Sequence, residues 1–437
     1  MCQCEAVRLA MLDPDKPPPG PFRPAFWRSP LRGPWLTSIL GLALLVWIPI
    51  VAVTGFISNA AYYPALGRNS VGRPLGPLDF YLFSFPTHPS WLYGLNQGLH
   101  VTIGLAVFPI LLAKLWSVIP KLFEWPPVRS PAHALERLSL ALLVGGALFE
   151  FVTGILNIQY AYLFQFYFTD AHYYGAWVFT GAFVFHVAIK FGTMRRSLAA
   201  RHGLAPLRER LADTQPEPVT PVHSELIPVS PRPATMSRRA LLGTVGVGSL
   251  FLLIQGAGQS IGGPLRSLAL FAPRGRGQTR SGPDGFPVNR TAAAARITAG
   301  EVGPGWRLKL VAGARTVALS RAQLLAMTQH SYDLPIACVE GWTTTQHWTG
   351  VRISDLAALV AVDGGFTAKT RSIATDGVFD SATLASEQTS DGRTLLALKV
   401  NGGDLSPDHG FPARVIGPAI PGVHCTKWAR EMIFEAV

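Results

Sequence analysis

The stretch WLTSILGLALLVWIPIVAVTGFI, residues 35 to 57, carries no charged residue. A helix that crosses the hydrocarbon of a bilayer needs ~20 mostly apolar residues, and this segment has length to spare. Three more candidates follow, from about Trp91 to Ile119, Leu138 to Leu163 and His172 to Phe191, each bounded by charged or proline-rich connectors. Only 15% of the chain is charged, against the ~25% usual for soluble domains. The sequence therefore predicts a four-helix membrane bundle over 35–195, preceded by a leader over 1–34.

Lysine and arginine set the orientation. The leader holds Arg8, Lys16, Arg23, Arg28 and Arg32; the second connector holds Lys121, Arg129 and Arg137; the fourth helix ends in Lys190, Arg195 and Arg196. The first and third connectors hold little more than Arg68 and Arg73, so both ends of the bundle are expected in the cytoplasm. Residues 196–236 are rich in proline and charge without periodicity and read as a cytoplasmic linker. SRRALLGTVGVGSLFLLIQGAG, from Ser237, sets paired arginines before an apolar run. It resembles a twin-arginine export signal placed internally, the alternative being an ordinary fifth helix (237–262). Either sends the remainder outside, which predicts a bacterial inner-membrane protein with five helices and a periplasmic C-terminal domain.

The net charge of +12 is spread between long uncharged segments and not gathered with aromatics into a stripe, so nucleic acid is not an expected partner. Four cysteines without a CxxC pair exclude a disulfide framework and a cysteine zinc site. Cys2 and Cys4 read as part of an exposed leader. After a Gly/Pro/Arg-rich spacer (263–285), runs such as WRLKLVAG and TVALS, broken by turn residues, predict a soluble mixed α and β domain over 286–437.

Histidines inside apolar helices are costly unless paired or ligated. His172 and His186 lie fourteen residues apart on the fourth helix, about 40° short of whole turns and ~21 Å along the axis. That spacing suits two stacked b-type haems, each needing a ligand from another helix. His100 stands twenty-one residues before Lys121 and His172 twenty-three before Arg195, so the two share a level near the outer side. For His186 the nearby candidate is His133, at the start of the third helix. His88, followed by Pro89, reads as a loop or cap residue, and an interhelical hydrogen bond is the alternative for each histidine. Glu150, near mid-membrane, is a candidate proton relay or a neutral acid bonded to a neighbouring helix.

The four helices with a histidine pair on the last resemble the bacterial cytochrome b subunits that serve hydrogenases and thiosulfate reductases. In that family the first helix normally supplies a ligand; here it has no histidine, which leaves one haem or two open.

Cys338 lies in IACVEGW, with no second cysteine or histidine at ligand spacing, a poor zinc site. CVEGW followed by HWTGVRISDL, with FPVNRTAAA (286–294), LALKVNGGDLSPDHGFPARVIGP (396–418) and PGVHCTKW (421–428), resembles the oxidoreductase molybdopterin-binding domain of the sulfite oxidase superfamily. The nearest branch is the bacterial periplasmic methionine sulfoxide reductases. The resemblance implies that Cys338 is the protein's one ligand to molybdenum, beside the sulfurs of a pyranopterin dithiolene. It implies further that Asn289, Arg290 and Lys427, and more weakly His424, cradle the pterin and its phosphate. Cys425 reads as a buried, inert thiol. The family's C-terminal immunoglobulin-like domain and soluble haem domain are not expected.

The expected fold is thus multi-domain: an all-α transmembrane bundle followed by a mixed α+β sulfite oxidase-like domain. The expected function is oxygen-atom transfer at molybdenum-molybdopterin, coupled through one or two b-type haems to quinone or quinol. The substrate class is a small oxo compound: a sulfoxide, an N-oxide or a sulfite-like species. The alternatives are a cytochrome b whose outer domain only docks a partner, and a bundle that only anchors the enzyme.

Overall fold

The computed structural model describes residues 16–62, 83–159, 161, 163–218, 224–274, 285–375 and 380–437. Cys2, Cys4, Arg8, Arg68 and Arg73 lie outside them. Five long helices come first: α1 (Pro34–Ala60), α2 (Leu92–Leu122), α3 (Pro131–Ile158), α4 (Phe168–Ala199) and α5 (Arg238–Ile261). All five are long and apolar enough to cross a membrane.

Several helix boundaries differ by a few residues from the sequence reading, because caps and not hydropathy end a helix. α3 starts at Pro131 instead of Leu138: the Ser130 hydroxyl accepts from His133 N at 3.1 Å and Pro131 fills the first helical position, where its missing N–H costs nothing. Arg137, expected in the connector, lies inside α3 and donates to the last carbonyls of α2, Lys121 O at 2.6 Å and Leu122 O at 2.9 Å. α4 starts at Phe168 instead of His172 and ends, as expected, just beyond Arg195 and Arg196, at Ala199. It stops where Gly203, at φ +65°, donates to Leu198 O at 2.9 Å.

The proline-rich segment 196–236 is not a free linker. It folds back in part, with short 3₁₀ turns at Ala205–Arg208 and Ser224–Leu226. The buried Glu217 carboxylate accepts from Trp35 N at 2.8 Å and Leu36 N at 3.3 Å, capping α1. Arg238, first of the paired arginines, is buried and donates to Glu209, Pro30 O and Gln215 O at 2.8–2.9 Å, while Arg239 is exposed. The pair is therefore split between an internal tie and a surface charge.

The chain divides into two compact units. The first holds residues up to 50, 104–152 and 174–252, meaning one portion of every long helix with the leader and the folded-back segment. The second holds 51–103, 153–173 and 253–437: the remaining helix portions together with the C-terminal domain.

That domain is mixed α+β, as its strand-like runs predict. Its strands are β1 (Arg307–Ala312), β2 (Arg315–Ser320), β3 (His330–Ala337), β4 (Thr343–Arg352), β5 (Phe366–Ser372), β6 (Ser381–Leu384), β7 (Leu395–Val400), β8 (Gly403–Asp404), β9 (Arg414–Ile416) and β10 (Ala429–Ala436). One sheet has the order β2-β1-β10-β5-β6, in which only β1 and β10 are parallel. The other runs β3-β4-β7-β8, with β9 also on β7. β7, LLALKV, is buried on both faces, as a central strand requires, whereas β1 alternates exposed and buried over Arg307–Leu310. Leu308, Leu310, Leu324, Trp348, Val351 and Leu395 to Leu398 make the core. That core fixes the two segments described next.

Candidate active site

Cys338 follows β3 directly. β3 and β4 are antiparallel with Ala337 opposite Thr343, so residues 338–342 form the turn between them, closed by Cys338 N donating to Trp342 O at 2.9 Å. Gly341 takes φ +93° there, a conformation that favours glycine. Glu340, fully buried, orders the turn: its carboxylate accepts from Trp342 Nε1 at 3.1 Å and pairs with Arg274 at 3.2 Å. Burial, and then the Glu340 carboxylate, push the Cys338 thiol well above its usual range.

A second segment is laid beside the cysteine. Gly422 N donates to Ala337 O at 2.7 Å, and Ala337 bridges Pro421 in parallel. A side chain at Gly422 would meet Ala337 O at 2.8 Å, so this approach of two backbones needs glycine. It brings PGVHCTKW next to IACVEGW. Lys427 Nζ donates to Asp408 O at 2.9 Å and to Arg290 O, while Asp408 accepts from Ala292 N at 2.8 Å. Asn289 Oδ1 accepts from Arg290 N at 2.9 Å. Lys427 is thus tied to Arg290, next to Asn289, across 137 residues of sequence. Arg414, also buried, donates to His409 O and Cys425 O, and His409 stacks on Phe286 at 3.7 Å.

Burial governs the electrostatics of the cluster. Burial, reinforced by Arg414, holds the Lys427 amine well below its usual range, and burial lowers Arg414 as well. Burial pushes His409 down to about 3 and His424 down to about 4; the Tyr62 carbonyl pulls His424 partly back without making a hydrogen bond of good geometry. Burial raises the Cys425 thiol to about 11, in keeping with an inert thiol. Several buried polar atoms on these segments have no hydrogen-bond partner among the described residues: both ring nitrogens of His424, His409 Nε2, Arg414 Nε, Thr426 Oγ1 and Ser406 Oγ. Native folds rarely leave such atoms orphaned, so the set fits a polar group such as a pterin with its phosphate. His409, Arg414 and Glu340 were not singled out from sequence; the first two stood in the quoted stretch DHGFPARV, whose charge on an apolar strand was the available signal.

Within the same unit the turn meets two helices. Gln97 Nε2, on α2, donates to Val339 O at 2.8 Å, and Gln259 Nε2, on α5, donates to Glu340 O at 2.8 Å. Gln97 also accepts from Ser58 Oγ at 2.6 Å, which holds its amide in this orientation. Three residues beyond Gln97 stands His100, whose ring faces His172 with centroids 6.3 Å apart and planes at 89°. His100 Nδ1 lies 3.0 Å from Val51 O; a carbonyl only accepts, so Nδ1 carries the proton and Nε2 the lone pair. His172 Nδ1 lies 3.3 Å from Thr153 Oγ1.

The other candidates are placed elsewhere. His186 lines a cavity in the first unit, but His133 does not: it sits at the start of α3, its Nδ1 accepting from Arg129 N at 3.1 Å. The expected pairing of these two is therefore not formed, because the cap of α3 uses His133. Glu150 packs against Gly175, and His88 is an exposed residue before α2, 3.6 Å from Asp391. Among the described residues no cluster of three or more His, Cys, Asp or Glu side chains could hold a metal ion.

Residues 298–436 match the oxidoreductase molybdopterin binding domain. Over these residues the chain is similar to that domain. Over 106 residues the chain is 33% identical to a nitrate reductase [NADH] of Volvox carteri, covering 22% of this chain and 12% of that protein. The sulfane dehydrogenase SoxCD of Paracoccus pantotrophus aligns with a TM-score of 0.28 and 20% identity, over 31% of this chain and 39% of that one. The chain thus spans only a small part of the curated relative's length.

Proposed function

We propose that the chain is a membrane-anchored, molybdopterin-dependent oxidoreductase whose outer domain carries out oxygen-atom transfer and exchanges electrons with the quinone pool through b-type haem. The bound cofactor supplies two-electron oxygen-atom chemistry at molybdenum. Cys338 offers the soft sulfur that anchors the metal. Asn289, Arg290, Lys427, Arg414 and His424 supply donors for the pterin and its phosphate. Burial of these side chains strengthens each of these contacts and keeps bulk water from competing.

The observation that carries the coupling is the path from His100 to Gln97 to Val339. One helical turn separates the imidazole from an amide that is hydrogen-bonded to the residue next to Cys338. Two imidazoles sharing one metal at about 2 Å per bond stand with ring centres about 6 Å apart, the separation of His100 and His172. The Val51 carbonyl fixes the His100 tautomer that presents Nε2, the arrangement seen behind most metal-bound histidines. On this reading the helices lie in a bacterial inner membrane with the C-terminal domain on the periplasmic side, and the substrate is a small sulfoxide, N-oxide or sulfite-like compound. A docking module without catalysis would have no use for the orphaned donors of the cleft.

Metal analysis of the detergent-solubilised protein, combined with a reduced-minus-oxidised absorption spectrum, tests this reading. One molybdenum per chain together with a b-type haem spectrum is expected. Protein made by cells with an intact cofactor pathway yet free of molybdenum contradicts it.

A further inference from the structure

Within the second unit, the ends of α1 and α2 carry two tyrosines against the segments that flank Cys338. Tyr93, on the first turn of α2, is fully buried, and its ring is met edge-on by Tyr62 and Phe85, with centroids 6.4 and 6.1 Å away. It packs with Ala337, the residue before Cys338, and with Ala419, which leads into PGVHCTKW. Two close approaches fix it there. Ala419 N donates to Ser90 O at 3.0 Å, and a methyl group at Gly94 would come within 3.0 Å of Thr343 and 3.6 Å of the Ala337 Cβ.

A buried phenol needs a partner for its hydroxyl. Tyr93 Oη donates to Tyr62 Oη at 3.3 Å, long for two hydroxyls, which usually stand about 2.7–2.8 Å apart. That bond is weak enough to yield to a better acceptor. The sulfurs of Cys338 and Cys425 both act electrostatically on the Tyr93 hydroxyl, so it lies on the side of the helix that looks to the cysteines. Tyr62 follows α1, its N–H donating to Asn59 O at 3.0 Å, and its ring meets that of His424 edge-on at 6.1 Å. His424 is 1% exposed, and neither ring nitrogen has a hydrogen-bond partner among the described residues. Native folds rarely leave an imidazole in that state, so a polar group from outside the chain fits beside it. The buried cations of these segments are already engaged: Lys427 and Arg414 donate to main-chain carbonyls. What the helix ends add is a set of uncharged donors.

We propose that Tyr93, backed by Tyr62 and His424, is the hydrogen-bond donor that orients the oxygen of the small oxo substrate beside Cys338, so that the helix ends complete the substrate site of the C-terminal domain. The proposal rests on the reading of that domain as molybdopterin-dependent. An oxygen on its way between two atoms carries partial negative charge, and a phenol held in a dry site donates to it without adding a charge that must be desolvated. Tyr93 orients the oxygen and keeps its own proton; no covalent bond of the phenol changes.

The test is Tyr93→Phe in the full chain in detergent. Initial rates are measured for dimethyl sulfoxide and trimethylamine N-oxide with a reduced dye and for sulfite with an oxidised dye, beside molybdenum content and the molybdenum(V) paramagnetic signal. Loss of the hydroxyl is expected to lower kcat/KM about 100-fold for whichever compound the wild type turns over, and to alter the molybdenum(V) signal recorded with that compound present, at unchanged molybdenum content. Tyr62→Phe is expected to move both readouts in the same direction by less, and keeps the test open should Tyr93→Phe fail to fold. An unchanged kcat/KM and signal in Tyr93→Phe overturn the proposal while leaving the molybdenum reading standing. So does a loss fully accounted for by lower molybdenum content, which would make Tyr93 a packing residue. A wild type that holds molybdenum, turns over none of the three compounds and gives the same signal as Tyr93→Phe overturns it as well. A wild type without molybdenum sinks both readings.

Discussion

Cys338→Ser is expected to reduce oxygen-atom transfer by more than about 100-fold while leaving the haem absorption bands where they are. The sulfur directly follows the buried end of β3, and the turn that carries it is closed by main-chain bonds and by the contact of Glu340 with Trp342. Serine replaces it with almost the same volume, so the loss of packing is small and the cost of a buried hydroxyl is about 1–3 kcal/mol. What serine cannot replace is a soft, polarisable donor: its oxygen is a hard ligand and stays protonated. Turnover with a reduced dye as electron donor, measured beside the absorption spectrum, separates this chemical loss from unfolding. Unchanged turnover would mean that the outer domain works without its sulfur, and the docking alternative would then be preferred.

His100→Ala and His172→Ala are expected to have the second large effect, of a different kind. Each removes one of two rings set 6.3 Å apart, and the protein should lose the haem bound there and, with it, quinol-driven turnover by more than about 100-fold. Dye-driven turnover at the outer domain should persist, because the turn around Cys338 touches α2 through Gln97 and not through the histidine. Comparing the two donors on the same preparation checks this. Equal loss with both donors would show that the histidines support the fold and not an electron path; no loss with either would favour a bundle that only anchors the enzyme.

Much of this was legible because the strongest constraints are local. Charge-free runs of twenty and more residues define helices whatever surrounds them, and a cysteine between a buried strand and a glycine turn keeps its place in any register. The pairing of His100 with His172 could be reached from axial height alone, since both helices follow one regular rise. Height failed for His133, because the cap made by Ser130 and Pro131 starts α3 early and uses that ring near Arg129. The segment 196–236 was read from composition as a linker, yet Glu217 returns to cap α1 across about 180 residues of sequence, a contact no local pattern announces.

The most direct test of the central claim is to add a reduced quinol to the anaerobic, detergent-solubilised chain and follow the haem bands and the molybdenum(V) paramagnetic signal together. The expected result is that the haem reduces first and the molybdenum signal follows, with Gln97→Leu slowing only the second phase. Stoichiometric molybdenum that stays silent while the haem is fully reduced would contradict an electron path from the helices to Cys338.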